Sequence, residues 1–125
     1  SGRAEVLYVL AGASGRTLAF GPGHLDGSAA PGESGNTVVA GHRDTHFAFL
    51  RDLAAGDEIE VQDIRQRSTR YRVTGARVVD KADVEVLAQP TMGRYLTLVT
   101  CYPFDALRAG GPQRYVVTAR EAEGN

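Results

Sequence analysis

Several features that define large protein classes are scarce or missing in this sequence. There is one cysteine and no tryptophan, so no disulfide can form within the chain and packing must hold the fold together. No apolar run approaches the roughly 20 residues that a membrane-spanning helix needs, and no signal peptide opens the chain. Basic and acidic residues number 14 and 15, for a formal net charge of -1. Such a balance is not typical of a nucleic-acid-binding protein.

The remaining composition is that of an ordinary globular domain. Hydrophobic residues make up 42% of the chain and charged residues 23%, close to the average for folded proteins. A chain of 125 residues is long enough for one core and short for two. We therefore expect residues 1–125 to form a single domain.

Strand-forming segments recur along the chain. They are short, rich in Val, Tyr, Thr and Leu, and separated by turn signals built on Gly and Pro. The predicted strands cover residues 5–10, 17–20, 37–41, 58–62, 70–80, 94–101 and 113–120. Helical spacing of apolar residues is found at 46–53 and, less clearly, at 83–87. Many strands with few helices predict a mainly β barrel or sandwich.

Cys101 stands at the end of a predicted strand. The run TLVTC (97–101) is followed at once by Tyr102 and Pro103, and proline cannot extend a central strand. Reactive groups concentrate at strand ends and in the loops beside them. A single cysteine is more often a small buried apolar residue, so it is the position of Cys101 that favours a nucleophile.

His42 also follows an apolar strand, in the run VVAGH (38–42). Gly41 before it leaves room for close approach, and the glycine-rich stretch 11–36 is a candidate wall of the same site. His42 and His46 have a spacing that suits zinc when both lie on one helix. Here His42 precedes the predicted helix and His46 lies near its start, so we expect neither a metal nor a cofactor.

Arg114 lies near the start of the last predicted strand. If that strand forms an antiparallel hairpin with the strand that ends at Cys101, the loop covers about 102–112 and the two residues flank its neck. Alternation places Arg114 on the same face as Val116 and Thr118. A charge on such a face needs a partner or a purpose, although a surface ion pair is the commoner explanation.

Together these residues resemble one family. The run 97–101 resembles the TLxTC signature of sortases, Gly41-His42-Arg43 resembles their GH(R) element, and RYVV (114–117) resembles the strand with their essential arginine. Order and spacing also match, and the likeness covers nearly the whole chain. Residues 41–47, 101–104 and 110–112 are most similar to class D-like sortases, in the branch found in Gram-negative, often marine, bacteria.

The resemblance implies a fold and three catalytic roles. The fold is a closed sortase-like β-barrel of about eight strands with one or two short helices. Cys101 is implied as the nucleophile, His42 as the general acid/base, and Arg114 as the group that stabilises the oxyanion or the substrate carbonyls.

Further residues around these three are candidates for substrate binding or orientation. Thr100 adjoins the nucleophile, Phe104 lies in the loop after it, and His46 follows the GH element, so all three are expected substrate-binding residues. A solvent-exposed position at a helix start is the simpler interpretation of His46. Asp44 and Asp105 are candidates for orienting His42.

The implied reaction is cleavage of an LPxTG-like sorting signal between Thr and Gly. The acyl part is held as a thioester and passed to an amine, which the sequence does not identify. The implied partner is a secreted protein with a C-terminal sorting signal, at the extracytoplasmic face of the cytoplasmic membrane. An N-terminal membrane anchor is expected outside the 125 residues, and no nucleic acid or oligomer is predicted.

Two other functions fit parts of the same pattern. A cysteine peptidase that only hydrolyses its thioester shares Cys101, His42 and Arg114, and an amine-dependent product distinguishes the two. A non-catalytic β-barrel binding module is the alternative from another class. It predicts a Cys101 that reacts slowly with thiol-specific electrophiles.

Overall fold

A computed structural model describes residues 4–8, 23–24, 27–41, 47–62, 66–90, 92–102 and 112–122. This part of the chain contains seven strands and two short 3₁₀ helices. The strands are β1 (Ala4–Tyr8), β2 (Gly23–His24), β3 (Gly35–Ala40), β4 (Glu58–Gln62), β5 (Ser68–Asp80), β6 (Arg94–Tyr102) and β7 (Gln113–Glu121). The helices cover Ala48–Asp52 and Val84–Leu87.

All seven strands belong to one sheet, in the order β1-β4-β5-β7-β6-β3-β2. The pairs β1–β4 and β3–β6 are parallel and the other neighbours are antiparallel. The mainly β fold class is therefore confirmed. Among the described residues the pairing runs from β1 to β2 without joining these two strands to each other, and the seven strands compare with about eight expected.

Alternating side chains explain how the outer part of the sheet forms. In β4, Ile59 and Val61 are fully buried while Glu58 and Glu60 lie on the other face, the period of two that a half-buried strand requires. β6 is different, because Leu96, Thr97 and Leu98 are consecutive and all buried. A strand with both faces buried is covered on both sides, and this decides where the site lies.

One face of the sheet packs against the first 3₁₀ helix to form the core. Its members are apolar and almost completely buried: Val39, Phe47, Leu50, Leu53, Ile59, Val61, Tyr71, Val73, Leu96, Leu98, Val117 and Ala119. The helix predicted at 46–53 is thus present in the right place, but it is a 3₁₀ helix over Ala48–Asp52. The backbone N–H of Leu53 bonds to the carbonyl of Leu50 and Leu53 itself is extended, so the helix ends after five residues.

The second 3₁₀ helix confirms the helical turn predicted at 83–87. Asp83 caps it, because the carboxylate accepts a hydrogen bond from the backbone N–H of Glu85 at 3.0 Å. This cap satisfies an N–H that the helix itself leaves without a partner. The turn belongs to the connection between β5 and β6.

β5 contains a β-bulge. Val73 pairs with Ala119 of β7, and Gly75 pairs with Thr118, so Thr74 is an extra residue in the ladder. The hydroxyl of Thr74 lies 3.0 Å from that of Thr118. Because of the extra residue, the register of β5 against β7 shifts by one position beyond Val73.

The predicted strands match the structure within two residues at each end where they are described. The two-residue strand β2 was not predicted, and the strand predicted at 17–20 lies outside the described residues. Within the described ranges, no helix has both the length and the apolar character needed to cross a membrane.

Candidate active site

Cys101 and Arg114 are direct neighbours across the β6–β7 hairpin. The antiparallel register pairs these two residues with each other, which confirms the hairpin predicted from the sequence. Side chains that pair directly across strands lie on the same face, with Cβ atoms about 5 Å apart. Cys101 is a free thiol and is partly exposed, so a thiol and a guanidinium share one edge of the sheet.

This pair lies on the face of β6 that is turned away from the core. Leu96 and Leu98 belong to the core, and residues two apart share a face. Thr97, Val99 and Cys101 therefore form the opposite face, which we call the outer face. The core holds the strand from below, and the thiol is presented on the other side.

Arg114 borders a small pocket on the outer face. Its Nη1 atom donates a hydrogen bond to the carbonyl of Gln113 at 2.9 Å, and the side chain is half-buried. The pocket has a volume of about 130 Å³ and is lined by Arg114 together with Val79, Asp80, Lys81, Asp83, Val86, Leu87 and Val99. Its apolar walls come from three different parts of the chain. A guanidinium beside such walls is less screened by water than one on an open surface.

Thr100 ties the end of β3 to the strand that carries Cys101. Its hydroxyl donates to the carbonyl of Gly41 at 2.7 Å, and the backbone N–H of Gly41 donates to the carbonyl of Val99 at 3.2 Å. Thr100 is 3% exposed and lies on the core side of β6, opposite Cys101. Its contact in this structure is with Gly41, and a contact with substrate stays a prediction.

Gly41 is also in close contact with Phe47. A Cβ atom at position 41 would lie 3.0 Å from two atoms of the Phe47 ring, closer than real Cβ atoms normally approach. Phe47 is fully buried in the core, so its ring has little freedom to move aside. Gly41 is thus held by β6 on one side and by the core on the other.

Several predicted site residues lie outside the described residues. They are His42 and His46, Phe104, and the two candidates for orienting His42, Asp44 and Asp105. Gly41 and Phe47 are the described residues on either side of 42–46. The predictions for the five residues therefore stay predictions.

Asn36 is a buried polar residue that our sequence analysis missed. It lies in β3, is 6% exposed, and its side-chain Nδ2 donates to the carbonyls of Val86 and Ala88 at 3.0 and 3.2 Å. The hydroxyl of Thr97 donates to its Oδ1 at 2.7 Å. Asparagine is depleted in strands, so its presence beside a run of buried valines was the available signal.

The described part of the chain contains no group of three or more His, Cys, Asp or Glu side chains able to hold a metal ion. What it does bring together is a partly exposed thiol and a neighbouring cation. Nearby positive charge favours a thiolate, and directed donors stabilise an oxyanion. The arrangement is suited to nucleophilic attack by sulfur on a carbonyl.

The chain matches the family model of the sortase domain over residues 3–122, which is nearly its whole length. The chain belongs to the sortase family. It is 32% identical over 111 residues to Sortase D of Bacillus subtilis (strain 168), covering 89% of this chain and 55% of that protein. This sortase chain therefore spans little more than half the length of that relative.

Solved structures of sortases have the same fold. A Clostridium perfringens Sortase D5 transpeptidase matches with a TM-score of 0.78 and 29% identity, covering 91% of this chain and 70% of that one. Sortase A from Corynebacterium diphtheriae matches with a TM-score of 0.80 and 29% identity, covering 93% and 55%. These relatives confirm the family and the sortase-like fold expected from the sequence. The Gram-negative branch stays a prediction.

We predict that Gly41→Ala destabilises this sortase. The new methyl group must displace the buried Phe47 ring, and overpacking of this kind costs about 1–3 kcal/mol of unfolding free energy. Urea unfolding followed by fluorescence or circular dichroism measures the change.

Gly75→Ala is the matched control for that substitution. Gly75 also lies in the sheet, but a Cβ atom there would meet nothing within 4 Å. We expect its unfolding free energy to stay within about 0.5 kcal/mol of wild type. Equal stability of the two variants would contradict the steric contact between Gly41 and Phe47.

Proposed function

We propose that this chain is a cysteine transpeptidase that cleaves an LPxTG-like sorting signal between Thr and Gly and transfers the acyl part to an amine. The observation that carries the proposal is the direct cross-strand pairing of Cys101 with Arg114, in a chain that belongs to the sortase family. Sortases as a family act at the cell surface on secreted proteins that carry sorting signals. The relative named above is longer than this chain, so the activity is proposed for the chain by itself.

Cys101 acts as the nucleophile. Its thiolate adds to the carbonyl of the scissile peptide bond, and collapse of the tetrahedral intermediate breaks the C–N bond and leaves a thioester. The partly exposed position of Cys101 at the end of β6 supports this role, because substrate must reach the sulfur. Addition of an amine to the thioester then forms the new amide and releases the thiolate.

His42 acts as the general acid and base. It donates a proton to the departing glycine amine and later accepts one from the incoming amine. His42 directly follows Gly41 in the chain, and Gly41 is hydrogen-bonded to Val99 and Thr100, the two residues before Cys101. This attachment of Gly41 to β6 supports the assignment of His42.

Arg114 stabilises the developing oxyanion. A guanidinium keeps its proton throughout the working pH range, so the role of Arg114 is charge and geometry instead of proton transfer. Its place opposite Cys101 in the ladder supports donors aimed at the carbonyl oxygen. Loss of one such donor typically costs about 3–4 kcal/mol of transition-state stabilisation.

The pocket beside Arg114 binds the apolar part of the sorting signal. Val79, Val86, Leu87 and Val99 line it, and apolar walls suit the Leu and Pro side chains of an LPxTG-like motif. Thr100, Phe104 and His46 are further proposed substrate-binding residues.

The proposed partner is a secreted protein with a C-terminal sorting signal, and the acceptor is an amine whose identity is open. We place the reaction at the extracytoplasmic face of the cytoplasmic membrane. Cell-surface action of the family supports this placement.

We predict that Cys101→Ala abolishes peptide cleavage while the fold persists. Cleavage of a fluorogenic LPxTG-type peptide should fall by a factor of about 10⁴ or more, and the thermal midpoint should move by less than about 5 °C. Because Cys101 is the one cysteine in the chain, iodoacetamide should add once to the wild type and not to the variant. Cleavage retained by a folded variant would overturn the nucleophile assignment.

We predict that Arg114→Lys is nearly as damaging as Arg114→Ala. Lysine keeps the charge but lacks the planar fork of donors, so kcat should fall by a factor of about 10² to 10³. Arg120→Lys is the matched control, since Arg120 is exposed and lies on the same face of β7, six residues away. Near-normal turnover by Arg114→Lys would show that Arg114 acts only as a point charge.

We predict that the enzyme transfers its acyl group instead of only hydrolysing it. With a substrate found in a sorting-motif peptide library, mass spectrometry should detect an adduct on Cys101. Adding a millimolar glycine peptide or hydroxylamine should give an amine-ligated product whose yield rises with amine concentration. Hydrolysis of a good substrate without any amine-ligated product would make the chain a cysteine peptidase.

A further inference from the structure

The connection between β5 and β6 covers the outer face next to the proposed active site. We call residues 83–89 the covering segment. Its members Val86 and Leu87 line the pocket that Arg114 borders, and Arg114 pairs with Cys101. The shape of this pocket therefore depends on where the covering segment sits relative to the sheet.

Asn36 binds the covering segment through its side chain. The two hydrogens of its amide nitrogen are directed to the carbonyls of Val86 and Ala88, which lie on either side of Leu87. These are backbone contacts, so they fix the path of the segment independently of its side chains. Asn36 is nearly fully buried, which makes the loss of these bonds costly.

Gln89 binds the same residue from the opposite direction. Its Oε1 accepts from the backbone N–H of Asn36 and its Nε2 donates to the backbone carbonyl of Asn36, both at 2.9 Å. The glutamine amide thus pairs with β3 through one donor and one acceptor, as a neighbouring strand would. The fit is close, because a Cβ atom on Gly35 would lie 2.8 Å from Oε1 of Gln89.

Thr97 determines which way the Asn36 amide points. Its hydroxyl donates to Oδ1 of Asn36 at 2.7 Å in a buried site, so the amide nitrogen is left to face the covering segment. Every polar atom of the Asn36 side chain then has a partner, which a buried amide requires. Thr97 lies on the outer face of β6, the face that carries Cys101.

We infer that Asn36, Thr97 and Gln89 form a latch that holds the covering segment over the outer face and thereby sets the affinity of the pocket for peptide. The three residues are positioning residues and take no part in the chemistry at Cys101. The inference rests on the proposed function for the identity of the ligand. The latch itself rests on the hydrogen bonds among the described residues.

The test compares variants that remove one part of the latch at a time. Gln89→Ala removes the pairing with the Asn36 backbone. Thr97→Val removes the hydroxyl that orients Asn36, and Thr97→Ser restores it. Asn36→Asp keeps an acceptor for Thr97 but turns a carboxylate oxygen toward two carbonyls.

Steady-state kinetics on the LPxTG-type peptide that the wild type cleaves best should separate affinity from chemistry. We expect KM to rise about tenfold in Gln89→Ala, Thr97→Val and Asn36→Asp, with kcat within about twofold of wild type. Thr97→Ser should return KM to near the wild-type value. The rate at which iodoacetamide alkylates Cys101 should be unchanged in all four variants.

Gln62→Ala is the matched control. The Gln62 amide also donates to a backbone carbonyl, that of Gln66, but it lies on β4 away from the outer face of β6. Unfolding free energies for all variants identify any that fail to fold, and Gln89→Ala is the reference variant because Gln89 is exposed. A fall in kcat at constant KM, or slower alkylation of Cys101 in a folded variant, would overturn the inference.

Hydrogen exchange gives a readout that needs no substrate. Amides of the covering segment should exchange faster in Gln89→Ala than in Gln62→Ala or wild type, because the segment is released from β3. If the wild type cleaves no peptide, the proposed function fails, and faster exchange still supports the latch. If exchange and KM both match wild type, the latch is wrong and the proposed function is untouched.

Discussion

The register between β6 and β7 is the constraint on which the rest of this structure depends. Leu98 opposes Val117 on the core face, and Cys101 opposes Arg114 on the outer face, within the same ladder. A slip of one residue would turn Leu98 out of the core. The apolar residues that hold the core therefore also hold the thiol opposite the guanidinium, and the proposed chemistry needs no separate device to align this pair.

The two threonines of the TLVTC run attach this hairpin to different neighbours. Thr100 bonds to Gly41, next to the segment that carries the proposed acid/base. Thr97 bonds to Asn36, which in turn bonds to the covering segment. One strand thus supplies the proposed nucleophile and a hydrogen bond toward each neighbouring wall. A short run of alternating small polar and apolar residues suits a strand that is covered on both faces.

The fold and the Cys101–Arg114 pairing were predictable because both follow from local patterns. Alternation located the strands, and a cysteine and an arginine at the facing ends of two adjacent strands implied a hairpin neck. The strand β2 has two residues, Gly23 and His24, neither of which favours strands, so no pattern marked it. The first helix is too short for its spacing to distinguish a 3₁₀ helix from an α-helix. Asn36 and Gln89 lie 53 positions apart in the chain, and no periodicity reveals a contact at that distance.

The bulge at Thr74 has a consequence for how the pocket can change. Val79 lies opposite Arg114 only because β5 contains one extra residue after Val73. If the ladder continued from Val73 without that extra residue, Val78 would occupy the position opposite Arg114, and Arg77 would pass to the core side of the sheet. The part of β5 before the bulge, including Tyr71, would keep its pairing. Moving a single bulge is therefore a route by which related proteins can acquire a different side wall, and with it a different preference for peptides, while every core residue is conserved.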